Sequence, residues 1–260
     1  TYFNSLWKVK ADEALSDLMN PYKRQTHQTD YYGLGYIDTG LYQNKEDILN
    51  SPRRLGSTQT KLGDIGYTDV NGDGKIDGED QVRIGKPTMP HFTYAFDFSL
   101  GYEGFTLSGL LYGTGERYMT FGNRYQSGEG KYLYYENQLN YWRPDNTGAD
   151  FPRISISSGV NGNNNKAGST FWMRNASYLR LKDLQLSYDF KYKYLKRCDW
   201  LQTCRVNLSG SNLFTISGVS KFFDPETSST SGDGYPVQRV YSIGVTTVSY
   251  THLRAHETSQ

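Results

Sequence analysis

Between Phe92 and Leu100 the side chains of Phe92, Tyr94, Phe96, Phe98 and Leu100 alternate with those of Thr93, Ala95, Asp97 and Ser99. A period of two with one apolar face commits this stretch to a β-strand, because successive side chains of a strand point to opposite faces of its sheet. Gly101-Tyr102-Glu103-Gly104 then reads as a tight turn, and Phe105, Leu107 and Leu111 alternate with Thr106 and Ser108 on the return. The pair is a hairpin. The same alternation recurs at Leu184, Leu186, Tyr188 and Phe190, at Cys204, Val206 and Leu208, and near Tyr241, Ile243 and Val245. With a mixed aromatic and polar stretch at Thr1 to Lys10 included, the count comes to about six strands.

Alternation fits a soluble β-sandwich as well as a membrane barrel, since any sheet with one dry face alternates. Connection lengths separate the two. One set of strand ends carries short links, Gly101 to Gly104 and Lys191 to Leu201. The other carries long ones, from Lys10 to Pro90, Glu116 to Thr170 and Ser217 to Tyr235. Short turns on one side and long loops on the other are how outer-membrane barrels are built. Tyr102, Tyr112, Trp172, Tyr178, Tyr192, Trp200 and Phe214 lie near strand ends, where they suit either an interfacial aromatic girdle or ordinary core packing.

Charge is balanced, with 28 Lys and Arg against 27 Asp and Glu, which disfavours nucleic acid, a partner that calls for a clustered basic surface, so none is expected. No run of about 18 apolar residues marks a transmembrane helix. No initiating Met and no secretory leader stand at Thr1, so the sequence reads as the interior of a longer gene product. The 23 Tyr and 27 Gly favour short strands and turns over helices. One helical turn is expected through Ala14, Leu15, Leu18 and Met19, ending before Pro21. The rest of Ala11 to Asp80, including the glycine-spaced aromatic stretch Tyr31 to Tyr42, reads as packed loop. Cys198 and Cys204 suit a hairpin-end disulfide or two spare thiols equally.

Within that loop region, Asp69-Val-Asn-Gly-Asp-Gly-Lys-Ile-Asp-Gly-Glu-Asp80 sets oxygen side chains at alternate positions around glycine. Asp69, Asn71 and Asp73, the backbone carbonyl of Lys75, then Asp77 and Asp80 form the donor series of a calcium loop, since a hard cation takes six to eight oxygens. Asp80 stands where a longer, bidentate Glu is usual, so binding weaker than in a buffering site is expected. The other reading is a run of tight turns at Asn71-Gly72 and Asp73-Gly74, which need no metal.

The stretches Tyr36 to Gln43, Gly63 to Asp77, Ile84-Gly-Lys-Pro87, Phe92-Thr-Tyr94, Ser177-Tyr-Leu-Arg-Leu-Lys-Asp-Leu184, Ser211-Asn-Leu-Phe-Thr215 and Tyr235-Pro-Val-Gln-Arg-Val-Tyr-Ser-Ile-Gly244, taken in this order and spacing, resemble the C-terminal part of SusC/RagA-type TonB-dependent outer-membrane transporters. The resemblance covers residues 1 to 247. It implies an all-β fold, a partial transmembrane antiparallel β-barrel with long extracellular loops, contributing about six strands to a barrel of about 22 with an N-terminal plug. It further implies a Gram-negative outer-membrane location in contact with lipid, and a SusD-like surface lipoprotein as lid. TonB-ExbB-ExbD would act through a missing N-terminal part, and the cargo would be glycan or peptide. On this comparison the Asp69 to Asp80 loop is extracellular and its calcium structural. The alternative is a soluble or surface-attached, calcium-binding, β-rich carbohydrate-recognition module.

Residues Val248 to Gln260 depart from the resemblance. They match one reading frame of a sequencing adapter and are expected to be an assembly scar, which removes His252 and His256, at i and i+4, from consideration as a metal pair. His27 and His91 stand far apart and no nucleophile motif occurs, so no enzyme is expected. Tyr132, Tyr134, Tyr135, Tyr141, Trp142 and Phe151 suit loop packing before sugar stacking. No substrate-binding residue is assigned.

Overall fold

The computed structural model describes all residues except 3–5, 29–32, 55, 58, 86–88, 127–134, 155–159, 199, 220, 228–233, 236 and 250–260. The chain divides into two compact units, each drawn from several parts of the sequence.

One unit is a sheet of five strands, β1 (Phe92–Tyr102), β2 (Phe105–Gly115), β3 (Tyr178–Asp189), β4 (Leu201–Ser217) and β5 (Val240–Ser249), arranged side by side in chain order. The β1–β2 turn is the pair Glu103 and Gly104, at φ 45° and 85°. Positive φ at both central residues gives the turn the twist that matches its strands. Gly104 carries a second constraint, for an added Cβ would stand 3.0 Å from that of Tyr192.

Register fixes the two faces of this sheet. Opposite residues of a ladder share a face, and β4 pairs with β5 through Val206 with Val245, Leu208 with Ile243 and Gly210 with Tyr241 on one side. Arg205 with Thr246, Asn207 with Gly244 and Ser209 with Ser242 fall on the other. Along the apolar side, Gly109 leaves room for its neighbours: a Cβ there would strike the Phe98 ring at 2.7 Å and Leu184 at 3.1 Å.

The other unit is made of short pieces. Gly33–Gly35 pairs with Val82–Ile84, Asp38–Leu41 with Ile65–Tyr67, and Tyr118–Thr120 with Met173–Asn175, all antiparallel, while Arg53–Arg54 runs parallel to Lys75–Ile76. Helix α1 (Leu15–Met19) lies where expected, and α2 (Lys45–Asn50) is closed by a capping box in which Asn44 and Asp47 each accept the other's backbone N–H. The core gathers Ile65, Tyr67, Met119, Phe121, Tyr125, Phe151, Trp172 and Val219. Phe121 is its hub. Phe222 and Trp172 meet that ring edge to face at 5.0 and 6.1 Å, and the Arg174 guanidinium lies 5.0 Å over it.

A polar lattice closes this core. Asp64, fully buried, takes Arg153 Nε at 2.6 Å, Asn165 Nδ2 at 2.9 Å and the Lys61 N–H at 2.9 Å. The hydroxyl of Tyr67 donates to the Asn164 carbonyl at 2.6 Å. Burial pushes that phenol's pKa well above its ordinary value, so it stays a donor.

The structure corrects several expectations. In Thr1 to Lys10, Tyr2 makes an antiparallel bridge to Phe92, while residues 3–5 lie outside the described residues. Tyr31 and Tyr32 lie outside the described residues, but Gly33–Gly35 and Asp38–Leu41 are strands where packed loop was expected. Of the strand-end aromatics, Trp172 and Tyr178 take the core-packing alternative, Tyr178 donating its hydroxyl to Glu226 at 2.7 Å. Tyr102, Tyr192, Trp200 and Phe214 are exposed. Both cysteines are free thiols. No helix among the described residues is long and apolar enough to cross a membrane, which says nothing about strands.

Candidate functional site

The Asp69 to Asp80 loop is organised by carboxylates turned onto its own backbone. Asp69 accepts the N–H of Gly72 at 2.6 Å through Oδ1 and that of Gly74 at 2.7 Å through Oδ2. Asn71, Asp73 and Asp77 each cap the residue two positions on, Asp73, Lys75 and Glu79, at 2.8 to 3.0 Å. These are the local side-chain-to-backbone bonds that Asn and Asp make in turns. Gly74 sits at φ 82°, which side chains rarely adopt, and there its N–H faces Asp69.

Asp80 plays a different part. Fully buried, it accepts the N–H groups of Val70 at 2.8 Å and Asn71 at 3.3 Å through Oδ1 and that of Asp77 at 2.8 Å through Oδ2. Ile76, beside it, sinks into the core, and Lys23 reaches Glu79 at 3.2 Å. The loop is thus held to its unit at several points. Burial raises the Asp69 carboxyl, but the N–H groups of Gly74, Gly72 and Asp73 outweigh it and hold the pKa below the usual carboxylate range.

These residues fit a hard cation in part. Each carboxylate oxygen has a second lone pair, so an accepted N–H leaves Asp69, Asn71, Asp73 and Asp77 able to ligate. Asp80, clamped on three N–H groups, also keeps a lone pair on Oδ2 and lies against the Asp69 carboxyl. Among the described residues, no three carboxylate, thiol or imidazole groups converge as a metal set would. His252 and His256 lie outside the described residues.

The sheet carries the second array, on its polar face. Ser211 donates to Asp183 at 2.8 Å, Gln185 to Asn207 at 3.5 Å and Asn207 to Thr246 at 3.5 Å, with Arg205 3.7 Å from Asp189. This ladder of amides, hydroxyls and paired charges crosses β3, β4 and β5. On the opposite face Tyr241, Ile243 and Val245 are 73%, 75% and 67% exposed. The sequence showed these residues as the two sides of an alternation, but no motif marked the polar side as a site. Of the loop aromatics, Trp142 and Phe151 are buried and Tyr135 and Tyr141 half-buried, while Tyr132 and Tyr134 lie outside the described residues.

A meander with an apolar face left bare and a polar face laced with hydrogen bonds has the pattern of an outer-membrane β-barrel wall, apolar outward and polar inward. Known proteins give that wall its kind. The chain is 28% identical over 183 residues to TonB-dependent receptor P3 of Formosa agariphila, covering 70% of this chain and 17% of that protein. It is 26% identical over 224 residues to TonB-dependent receptor P26 of the same organism, covering 79% and 21%. The chain thus spans about a fifth of the length of the curated relatives it matches. No family model matches.

Its fold is shared with the RagAB peptide transporter, at a TM-score of 0.54 and 22% identity over 83% of this chain and 22% of that one. It is shared also with the RagAB peptide importer in its closed-closed state, at 0.57 and 21% over 85% and 23%, and in its open-open state, at 0.57 and 20% over 95% and 24%. The sequence resemblance to SusC/RagA-type TonB-dependent transporters is borne out in relatives and in fold. What the relatives and the solved structures share with this chain is the TonB-dependent receptor likeness in sequence and the RagAB fold.

Proposed function

We propose that this chain supplies barrel wall and extracellular loops to an importer that draws its energy through TonB. The observation that carries this reading is the two-faced sheet, apolar and bare on one side and polar and hydrogen-bonded on the other, in a chain similar to named TonB-dependent receptors. Cargo is captured at the loops beneath a SusD-like surface lipoprotein. TonB-ExbB-ExbD acts through a part N-terminal to Thr1, and the work done is translocation, not catalysis. The cargo class is glycan or peptide. Peptide draws support from the RagAB peptide transporter and importer, which share the fold, and glycan from the SusC side of the sequence resemblance.

Uptake of labelled oligosaccharide and labelled oligopeptide by cells expressing the intact receptor tests this. Accumulation of one of them, lost on deletion of TonB, is expected. Accumulation that survives the deletion overturns the reading. A soluble carbohydrate-binding module is disfavoured, because Tyr241, Ile243 and Val245 would stand in water.

We further propose that the Asp69 to Asp80 loop binds calcium. Calcium would be held by Asp69, Asn71, Asp73, the Lys75 carbonyl, Asp77 and Asp80, and would stiffen an extracellular loop. Calorimetric titration of the intact receptor with calcium, against Asp73→Ala, tests it. The expected result is saturable heat lost in the variant; no heat at millimolar calcium leaves only the turns.

A further inference from the structure

Strand β1 stands at one end of the five-stranded sheet, with β2 as its only neighbour among the described strands. Nearly all of it is exposed, Phe96, Leu100 and Tyr102 at 61%, 64% and 75%. The N–H and C=O groups along such an edge cannot lie bare in hydrocarbon, because no water is there to pair with them. A sheet that serves as barrel wall therefore needs a partner on the outer side of β1. The opposite edge, β5, cannot supply it, since a closed barrel takes about eight strands or more.

The first residues of the chain show which partner this is and in what register. Thr1 and Thr93 exchange both backbone hydrogen bonds: the Thr1 nitrogen donates to the Thr93 carbonyl at 2.7 Å, and the Thr93 N–H donates to the Thr1 carbonyl at 2.9 Å. Tyr2 and Phe92 form the antiparallel bridge beside them. A hydrogen-bonded pair followed by a narrow, non-hydrogen-bonded one is the repeat of an antiparallel ladder. Tyr2 thus shares a face with Phe92, and through it with Tyr94, Phe96, Phe98 and Leu100. Traced backward from Tyr2 through Thr1, the chain heads along the outer edge of β1 toward Tyr94 and Tyr102.

We propose that the outer edge of β1 is paired by the segment of the receptor immediately before Thr1, antiparallel and in the register that Thr1 with Thr93 sets. About nine residues reach from Tyr94 to Tyr102, which is also the length a strand needs to cross the hydrocarbon. In this register the first, third, fifth, seventh and ninth residues before Thr1 lie opposite Tyr94, Phe96, Phe98, Leu100 and Tyr102, and are apolar. The second, fourth, sixth and eighth lie opposite Ala95, Asp97, Ser99 and Gly101, and are polar or small. Tyr2 then stands at the loop end of a strand whose body precedes Thr1. The proposal rests on the reading of the sheet as a piece of barrel wall, and not on what is imported.

Disulfide trapping in the intact receptor tests it, with Cys198→Ser and Cys204→Ser to remove the two free thiols of this chain. Phe96→Cys is combined with one cysteine at the second, third or fifth residue before Thr1. Directly opposite residues have Cβ atoms about 5 Å apart and diagonal ones about 7–8 Å, so only the former lie near disulfide reach. Under mild oxidation the third position is expected to form the disulfide about tenfold faster than the second or the fifth. Heat-modifiable electrophoretic mobility reports that each barrel has formed, and Leu100→Cys with the seventh residue before Thr1 serves if Phe96→Cys does not assemble. A disulfide fastest at the second or fifth position, one that joins two copies of the receptor, or none in a receptor that assembles overturns the proposal. So does an upstream sequence whose apolar residues fall on the even positions. Uptake measured on the same cells separates the two readings. A shifted disulfide in a receptor that still needs TonB sinks the pairing alone, and a third-position disulfide in one that does not need TonB upholds the pairing and sinks the import reading.

Discussion

Trp172 and Ile243 belong to the same chain and face opposite solvents. In the loop unit Trp172 is 0% exposed, Phe121 and Met119 are 1% exposed, and the buried Asp64 is met by Arg153 and Asn165. In the sheet unit Ile243 is 75% exposed, and every residue of β5 lies open. Burying apolar area against water is what holds the first unit together. The second has its backbone pairing and its polar ladder, while its apolar residues await hydrocarbon. Exposure of a large hydrophobic residue therefore means different things in the two units: a departure in one, a membrane surface in the other.

Removing the hub neighbour from the loop core has the largest expected effect. Trp172→Ala deletes a fully buried side chain that packs on Phe121 and Phe171 and whose Nε1–H donates to the Asn165 carbonyl at 2.8 Å, so the loop unit loses about 3–5 kcal/mol. Limited proteolysis of the intact receptor should then cut within residues 36–176, while heat-modifiable migration of the barrel persists. Loss of both together would show that the two units do not answer to separate solvents. The mirror experiment is Ile243→Lys. A lysine on the lipid face costs about 2–4 kcal/mol at mid-bilayer and less toward the surfaces, so barrel assembly falls while loop protection in the assembled fraction stays. Ser242→Lys, on the polar side, should assemble normally.

Asp80→Ala comes next. It leaves the N–H groups of Val70, Asn71 and Asp77 without their acceptor, at a cost of about 1–3 kcal/mol for a buried unsatisfied group. Hydrogen exchange should quicken at residues 69–80 alone. Exchange that spreads over the whole loop unit would make the Asp69 to Asp80 loop part of its core and no longer an attachment to it.

The sheet was far more legible in the sequence than the loop unit, for a physical reason. Alternation is a local signal, and β1, β2 and β5 carry it in neighbouring residues. Where local signal fades the strands outrun the alternation: β3 starts at Tyr178 and not at Leu184, because Arg180 and Lys182 hide the pattern, and β4 runs on to Ser217 through Ser209-Gly-Ser-Asn212, small and polar residues with no apolar period. Asn212 does adopt a positive φ, of 56°, inside the strand. The core of the loop unit had no local signal at all. Phe121 meets Phe222 and Tyr67 meets Asn164 across about a hundred residues, by strands two to four residues long that no period can reveal. At the candidate site the spacing of Asp69, Asn71, Asp73 and Asp77 was legible. That Asp80 turns inward as a clamp was not, since spacing gives no side-chain direction.

The smallest expected effect is one of pH, and it falls on the loop unit alone. The carboxyl of Asp69 is held low by backbone N–H groups that outweigh its burial. That of Glu13 is held low by the Thr26 hydroxyl and the Gln25 N–H. A carboxyl whose folded pKa lies below its unfolded value binds protons more readily when the chain unfolds. The stabilisation it gives is complete above the unfolded value, about 4, and is lost as pH falls through the folded one. Trp142 and Trp172 are both buried in this unit, so urea titrations of the intact receptor followed by tryptophan fluorescence read its stability. The midpoint should hold from neutral pH to about 5 and drop by about pH 3. Asp69→Asn and Glu13→Gln should each flatten part of that drop, because neither amide titrates. A drop of the same size in the doubly substituted protein would move the acid sensitivity to other carboxylates, and a parallel change in heat-modifiable migration would move it to the sheet.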